Sequence, residues 1–176
     1  LNILVHESVP EYMTSDFDKI GKIMMNFIGN SIKFTDSGSI TVELSSEKSV
    51  SDPPEFLCKH ADETLFYLKL TVVDTGSGMS AENISNLFRP FSQVQLGRSS
   101  KGGTGLGLVI CKEFTMAMGG NVTCSSELGK GTSFTSIIGA KTKNSNSFSG
   151  TKIKQMFKIE PVERQYKVLS RSSNLI

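Results

Sequence analysis

Gly102-Gly103-Thr104-Gly105-Leu106-Gly107-Leu108 runs straight into a stretch of helical spacing that ends at Gly119-Gly120. A glycine-rich loop that opens a helix offers bare amide N–H groups and the positive end of the helix dipole, which together hold a phosphate. The neighbours of this loop narrow the fold. A dinucleotide-binding fold needs a strand just ahead of the glycines, and Gln95 to Lys101 is no strand. A Walker loop needs Gly-Lys-Ser/Thr, and Gly129-Lys130-Gly131-Thr132 breaks that pattern and reads as a hairpin turn.

Upstream, Ile20, Ile23, Met24, Phe27, Ser31 and Phe34 recur at three- and four-residue steps, which predicts a helix over 16–35 with Asp16 as its N-cap. Strands are expected at 1–6, 39–46, 65–74, 121–127 and 132–140, where apolar residues alternate with polar ones, and a short helix at 80–87. The insert 47–64, with Pro53-Pro54, reads as a long loop, and the Ser/Gly/Lys-rich segment 92–104 as a mobile one. Beyond residue 141 the composition turns to Asn, Ser and Lys, so the expected organisation is a domain over 1–141 and a polar, basic linker or tail over 142–176.

Two further groups of residues carry chemistry. Asn26, Asn30 and Lys33 lie at steps of four and three, so one helix face presents two amides and an ammonium; a solvated polar face has the same pattern. Asp74-Thr75-Gly76-Ser77-Gly78 follows an apolar strand, and its glycines let a ligand approach the backbone. A carboxylate there can accept from an exocyclic amine such as that of adenine. It can also be half of a paired-carboxylate protease site, whose Asp-Thr-Gly-Ser signature it matches, or simply cap a tight turn.

In this order, the segments resemble the catalytic domain of sensor histidine kinases, within the superfamily that includes gyrase, Hsp90 and MutL. Asn26-Phe27-Ile28-Gly29-Asn30-Ser31-Ile32-Lys33-Phe34-Thr35 resembles the N box, Asp74 to Gly78 the G1 box, Phe88-Arg89-Pro90-Phe91 the F box, and Gly103 to Leu108 the G2 box. Val9-Pro10, Asp16, Met118-Gly119-Gly120 and Gly129 to Thr132 also fit the family pattern. Ser31 stands where a small apolar residue is usual.

The resemblance implies an α/β two-layer sandwich, with a mixed sheet and about three helices on one face. It implies ATP and Mg²⁺ as cofactors. Asn30 would bind the metal, Asn26 would support that site, and Lys33 would neutralise phosphate charge. Asp74 would read the adenine amine, with Gly76, Gly78, Phe88, Phe91 and Thr132 around the nucleotide. The segment 92–104 would form a lid whose Arg98 or Lys101 reaches the phosphates beside Gly103, Thr104, Gly105, Leu106, Gly107 and Leu108. The superfamily's hydrolases place a Glu at the first N-box position, where this chain has Asn26. Transfer to a protein histidine is therefore implied rather than hydrolysis, with a receiver aspartate as the onward acceptor. A nucleotide-binding scaffold without transfer is the rival reading.

His6 and His60 do not suit the acceptor role: His6 lies in the first strand, too close to the N box, and His60 lies in the insert. The acceptor is expected on a separate dimerisation segment of a homodimeric parent. Hybrid kinases place a linker towards a receiver where the tail lies, but Lys167-Val168-Leu169-Ser170 lacks the acidic pair with which a receiver begins.

Composition agrees with a globular domain: 176 residues, 38% hydrophobic and 20% charged, with a formal charge of +2 that gives no reason to expect nucleic acid or a membrane surface as partner. Cys58, Cys111 and Cys124 have no metal-ligand spacing and are expected as free thiols in a reducing, intracellular compartment. No apolar run reaches the ~18 residues of a membrane span. With no initiator Met, the chain reads as a fragment of a parent that can still be membrane-anchored.

Overall fold

The computed structural model describes residues 1–48, 63–90, 105–143 and 151–152. In chain order the elements are β1 (Asn2–Val5), β2 (Tyr12–Met13), α1 (Phe17–Phe34), β3 (Ile40–Lys48), β4 (Glu63–Asp74), α2 (Ala81–Asn86), α3 (Gly107–Ala117), β5 (Asn121–Glu127), β6 (Gly131–Lys143) and β7 (Thr151–Lys152). Five strands form one sheet in the order β1-β3-β4-β6-β5, with β1 parallel to β3 and every other pair antiparallel. The sheet is therefore mixed, and the fold is the expected α/β sandwich.

Alternation along the strands decides which face is covered. Ile40, Val42 and Leu44 of β3 and Phe66, Leu68, Leu70 and Val72 of β4 are buried, as are Phe134, Ile138 and Ala140 of β6. Against them α1 sets Ile20, Ile23, Phe27 and Ile28. Phe27 stacks on Phe134 with ring centroids 5.2 Å apart, which pins the middle of α1 to the middle of the sheet. Thr115 of α3 and Ser136 of β6 share a buried hydroxyl–hydroxyl bond of 2.8 Å, so the polar atoms inside this layer are partnered where α3 crosses the sheet.

The ends of α1 have local causes. Asp16 caps it by accepting from the Lys19 N–H at 3.0 Å and also pairs with the Lys19 ammonium, which holds its carboxyl below the usual range. At the other end Thr35 turns extended and the chain leaves the helix. Gly119, at a φ of +70°, stops α3 as a C′ glycine.

Two elements lie outside the sequence-based expectation. Tyr12–Met13 pairs antiparallel with Thr151–Lys152, and Thr14 bridges Lys141. The chain thus stays in the main sheet to residue 143, two residues past the expected boundary, and residues 151–152, within the segment expected as linker, pair with β2 in a separate two-stranded sheet. The expected loop over 47–64 is shorter at both ends, because β3 runs on to Lys48 and β4 starts at Glu63, each paired along the sheet; its residues 49–62 and the whole expected lid over 92–104 lie outside the described residues. Among the described residues no helix is long and apolar enough to cross a membrane.

Candidate functional site

Asp74 is the last residue of β4 and is only 4% exposed, so its carboxylate must find its partners inside the protein. It has three. Oδ1 accepts from the Gly76 N–H at 2.9 Å and the Thr132 N–H at 3.2 Å, and Oδ2 accepts from the Ser31 hydroxyl at 2.9 Å. A carboxylate oxygen offers two acceptor positions. Oδ1 thus accepts two hydrogen bonds and Oδ2 one. None of the three partners is a carboxylate, which the paired-carboxylate protease reading needs.

The loop after Asp74 is gripped by the β5–β6 hairpin. Gly129 N–H donates to the Ser77 carbonyl at 2.8 Å, and Met79 N–H donates to the Ser126 hydroxyl at 2.8 Å. Ser126 in turn donates within the cluster formed by the Gly131 carbonyl and the Thr132 hydroxyl. Gly131 has a φ of +113°, and a Cβ there would come 1.9 Å from the Asp74 carbonyl oxygen, so only glycine lets the hairpin close onto this loop. Gly78 lies equally close to the Glu127 carbonyl. Across the loop, Ser77 N–H donates to the Phe34 carbonyl at 3.1 Å, which ties it to the end of α1.

The face of α1 beside this loop carries the amides. Asn30 Nδ2 donates to Asn26 Oδ1 at 3.3 Å, which fixes both side chains and leaves the Asn30 carbonyl oxygen as an acceptor. Asn26 lies against the start of α3: a Cβ on Gly107 would fall 2.2 Å from Asn26 Nδ2. The N-cap of α3 is Leu106, which supplies no side-chain hydrogen bond to the first amides of the helix, and Gly105 before it has a φ of +69°. Amide N–H groups at the start of α3, the Asn26–Asn30 pair and the Asp74 loop thus share one end of the domain. An anion on α3 with a hard cation beside Asn30 is the chemistry this end supports.

The remaining sequence-predicted residues divide into two sets. Lys33 sits in the last turn of α1 with its ammonium 4.9 Å from the centre of the Phe34 ring. Thr132 is buried beside Asp74, while Phe88 and Leu108 pack partly buried against the core. Phe91, Arg98, Lys101, Gly103 and Thr104 lie outside the described residues. His6 is exposed just past β1, and His60 is also outside the described residues.

Sequence reading placed no functional weight on Ser31 or Thr35. Ser31 was legible only as a polar residue within an apolar stripe, and its partner lies 43 positions away. The Thr35 hydroxyl is buried with no partner among the described residues, and the point a Gly76 Cβ would occupy lies 2.8 Å from it and 2.9 Å from Asp74 Oδ1. Cys124 lies near enough for the Asp74 charge to act on it; burial first and that charge second push its thiol up to about 12.

Comparison with known proteins fits this geometry. The model of a family described as histidine kinase-, DNA gyrase B-, and HSP90-like ATPases matches residues 15–141. The chain is 37% identical over 139 residues to hybrid signal transduction histidine kinase B of Dictyostelium discoideum, a match covering 78% of this chain and 6% of that protein. Its fold is similar to full-length ShkA crystallised in complex with AMPPNP, with a TM-score of 0.56 and 27% identity over 78% of this chain and 24% of that one. A mycobacterial sensor histidine kinase, MprB, has the same TM-score at 20% identity, covering 79% of this chain and 82% of its own, a likeness of fold alone. The chain spans only a small part of the first two proteins. From residue 15 to residue 141, the chain belongs to the family of histidine kinase-, DNA gyrase B- and HSP90-like ATPases.

Proposed function

We propose that this domain binds Mg·ATP and serves as the catalytic part of a sensor histidine kinase, passing the γ-phosphoryl group to a histidine on a separate dimerisation segment. The observation that carries this reading is the Asp74 carboxylate. It is buried and held by three donors, with one acceptor position left on Oδ2. That position suits a single N–H donor, as on the 6-amino group of adenine.

At the other end of the nucleotide, the first amides of α3 would take phosphate oxygens, with Lys33 adding positive charge. Mg²⁺ fits the residues present. Among the described residues no three His, Cys, Asp or Glu side chains gather into a metal cage, so the protein's contribution would be a neutral amide oxygen from Asn30. A cation that arrives with the triphosphate and keeps its waters needs no more than that. When bound, it would supply positive charge against the negative charge that develops during transfer.

Asn26 favours a protein side chain as acceptor. Its amide cannot take a proton from water, and its side chain is already bonded to Asn30. Asn26 therefore supplies no base to activate water, which suits transfer to an imidazole brought in line from another segment. A receiver aspartate would take the phosphate next, and the parent would be a homodimer.

Calorimetric titration with a non-hydrolysable ATP analogue, with and without Mg²⁺, tests the binding step. Saturable binding tightened by the metal is the expected result, and no binding in either condition would refute the reading. Transfer is tested by adding a dimerisation segment from a hybrid histidine kinase with labelled ATP; label on its histidine, without appreciable free phosphate from the domain alone, is expected.

A further inference from the structure

The donors on Asp74 are unequal in kind. Two are main-chain amides of the β4 loop and β6, fixed by the sheet, and both serve Oδ1. The third is the Ser31 hydroxyl, on α1, and it serves Oδ2. With Oδ1 pinned, the carboxylate keeps one freedom, a swing of Oδ2 about the pinned oxygen. The Ser31 bond removes it. Ser31 is 1% exposed, so water has no ready access to replace that donor.

We propose that Ser31 is a positioning residue for base recognition: its hydroxyl fixes Asp74 Oδ2 so that the remaining acceptor position points at the nucleotide's exocyclic amine. This rests on the reading of Asp74 as the amine acceptor. Ser31 directly follows Asn30, so consecutive residues of one helical turn set the base end and the metal end of the site. A small shift of α1 along its axis therefore changes both ends together. Ser31 touches neither substrate nor cation in this scheme; it acts through Asp74.

The test compares two nucleotides in two proteins. The full chain and its Ser31→Ala variant are titrated with Mg·ATP and with Mg·purine riboside triphosphate, which lacks only the 6-amino group. Ser31→Ala is expected to weaken ATP by about five- to tenfold, the effect of one buried hydrogen bond, and to leave the desamino nucleotide within about twofold. An equal loss for both nucleotides would mean that Ser31 acts only on the fold, and no loss for either would mean that the bond does not orient Asp74; each result overturns the proposal. If the unsubstituted chain binds the two nucleotides equally, the amine reading of Asp74 itself falls and takes the proposal with it. Should Ser31→Ala not fold, Ser31→Cys keeps the side chain's shape with a weaker donor, and the same ratio of affinities is read from it.

Discussion

Asp74→Asn is the most informative single change, because it alters chemistry while keeping shape. The new side chain has one carbonyl oxygen and one amino group. The Gly76 and Thr132 amides donate to the Oδ1 position, so the carbonyl oxygen must lie there and the amino group must take the place of Oδ2. Ser31 adapts, since its hydroxyl can accept as readily as it donates. An incoming exocyclic amine cannot adapt, because it now meets a donor. Loss of a charge-assisted bond together with the unmet donors costs about 2 to 4 kcal/mol of binding, or ~30- to ~900-fold in Kd. The fold should survive: the bonds within the protein drop from charged to neutral, a loss of about 1 to 2 kcal/mol, or about 2 to 8 °C in melting temperature for a domain of this size. Calorimetry with the ATP analogue and a thermal melt separate the two effects. An affinity within about threefold of the parent, in a protein that melts normally, would refute the assignment of Asp74 to the base.

Three other outcomes follow from the same geometry. Asn30→Ala should abolish transfer and remove the Mg²⁺ dependence of nucleotide binding while leaving metal-free binding in place; binding that Mg²⁺ still tightens would remove Asn30 from the metal site. Phe27→Ala deletes a ring that is fully buried and stacked on Phe134, and should cost about 3 to 5 kcal/mol in a denaturant titration. Burial raises the Cys111 and Cys124 thiols from 9.0 to about 12, so both folded and unfolded chains hold these protons below pH 9. Between pH 9 and about 12 the unfolded chain releases them first, and stability should fall as pH rises. Replacing both cysteines by alanine should flatten that slope relative to the parent, and an unchanged slope would assign it to other groups.

Much of this was legible because it is local. The apolar spacing of α1, the Asp16 cap and the glycine stop after α3 are each decided within a few residues, and each stands where the spacing put it. The strand spans of the sheet were legible from their composition and partial alternation, but the order β1-β3-β4-β6-β5 was not, since burying one face is compatible with many orders. The two-residue strands β2 and β7 are too short to have a period, and what forms them is a partner some 140 residues away, which no local pattern encodes. Ser31 illustrates the same limit at the site. As one polar residue in an apolar helix stripe it reads as a blemish, and only the folded chain shows that it faces a carboxylate at the end of β4.

The pairing of Thr151–Lys152 with Tyr12–Met13 has a mechanical consequence. Residues 12 and 13 lie just ahead of Asp16, where α1 starts, and α1 carries Asn26, Asn30 and Ser31. Residues 12 to 15 are also bonded to β6, through Thr14 with Lys141, Ser15 with the Gly139 carbonyl and Thr142 with the Tyr12 carbonyl, so a pull on the chain at 151–152 meets a root that the main sheet holds in place. A two-residue ladder is a weak coupling that peels open under modest load. Under load the short ladder would part before the root of α1 moved.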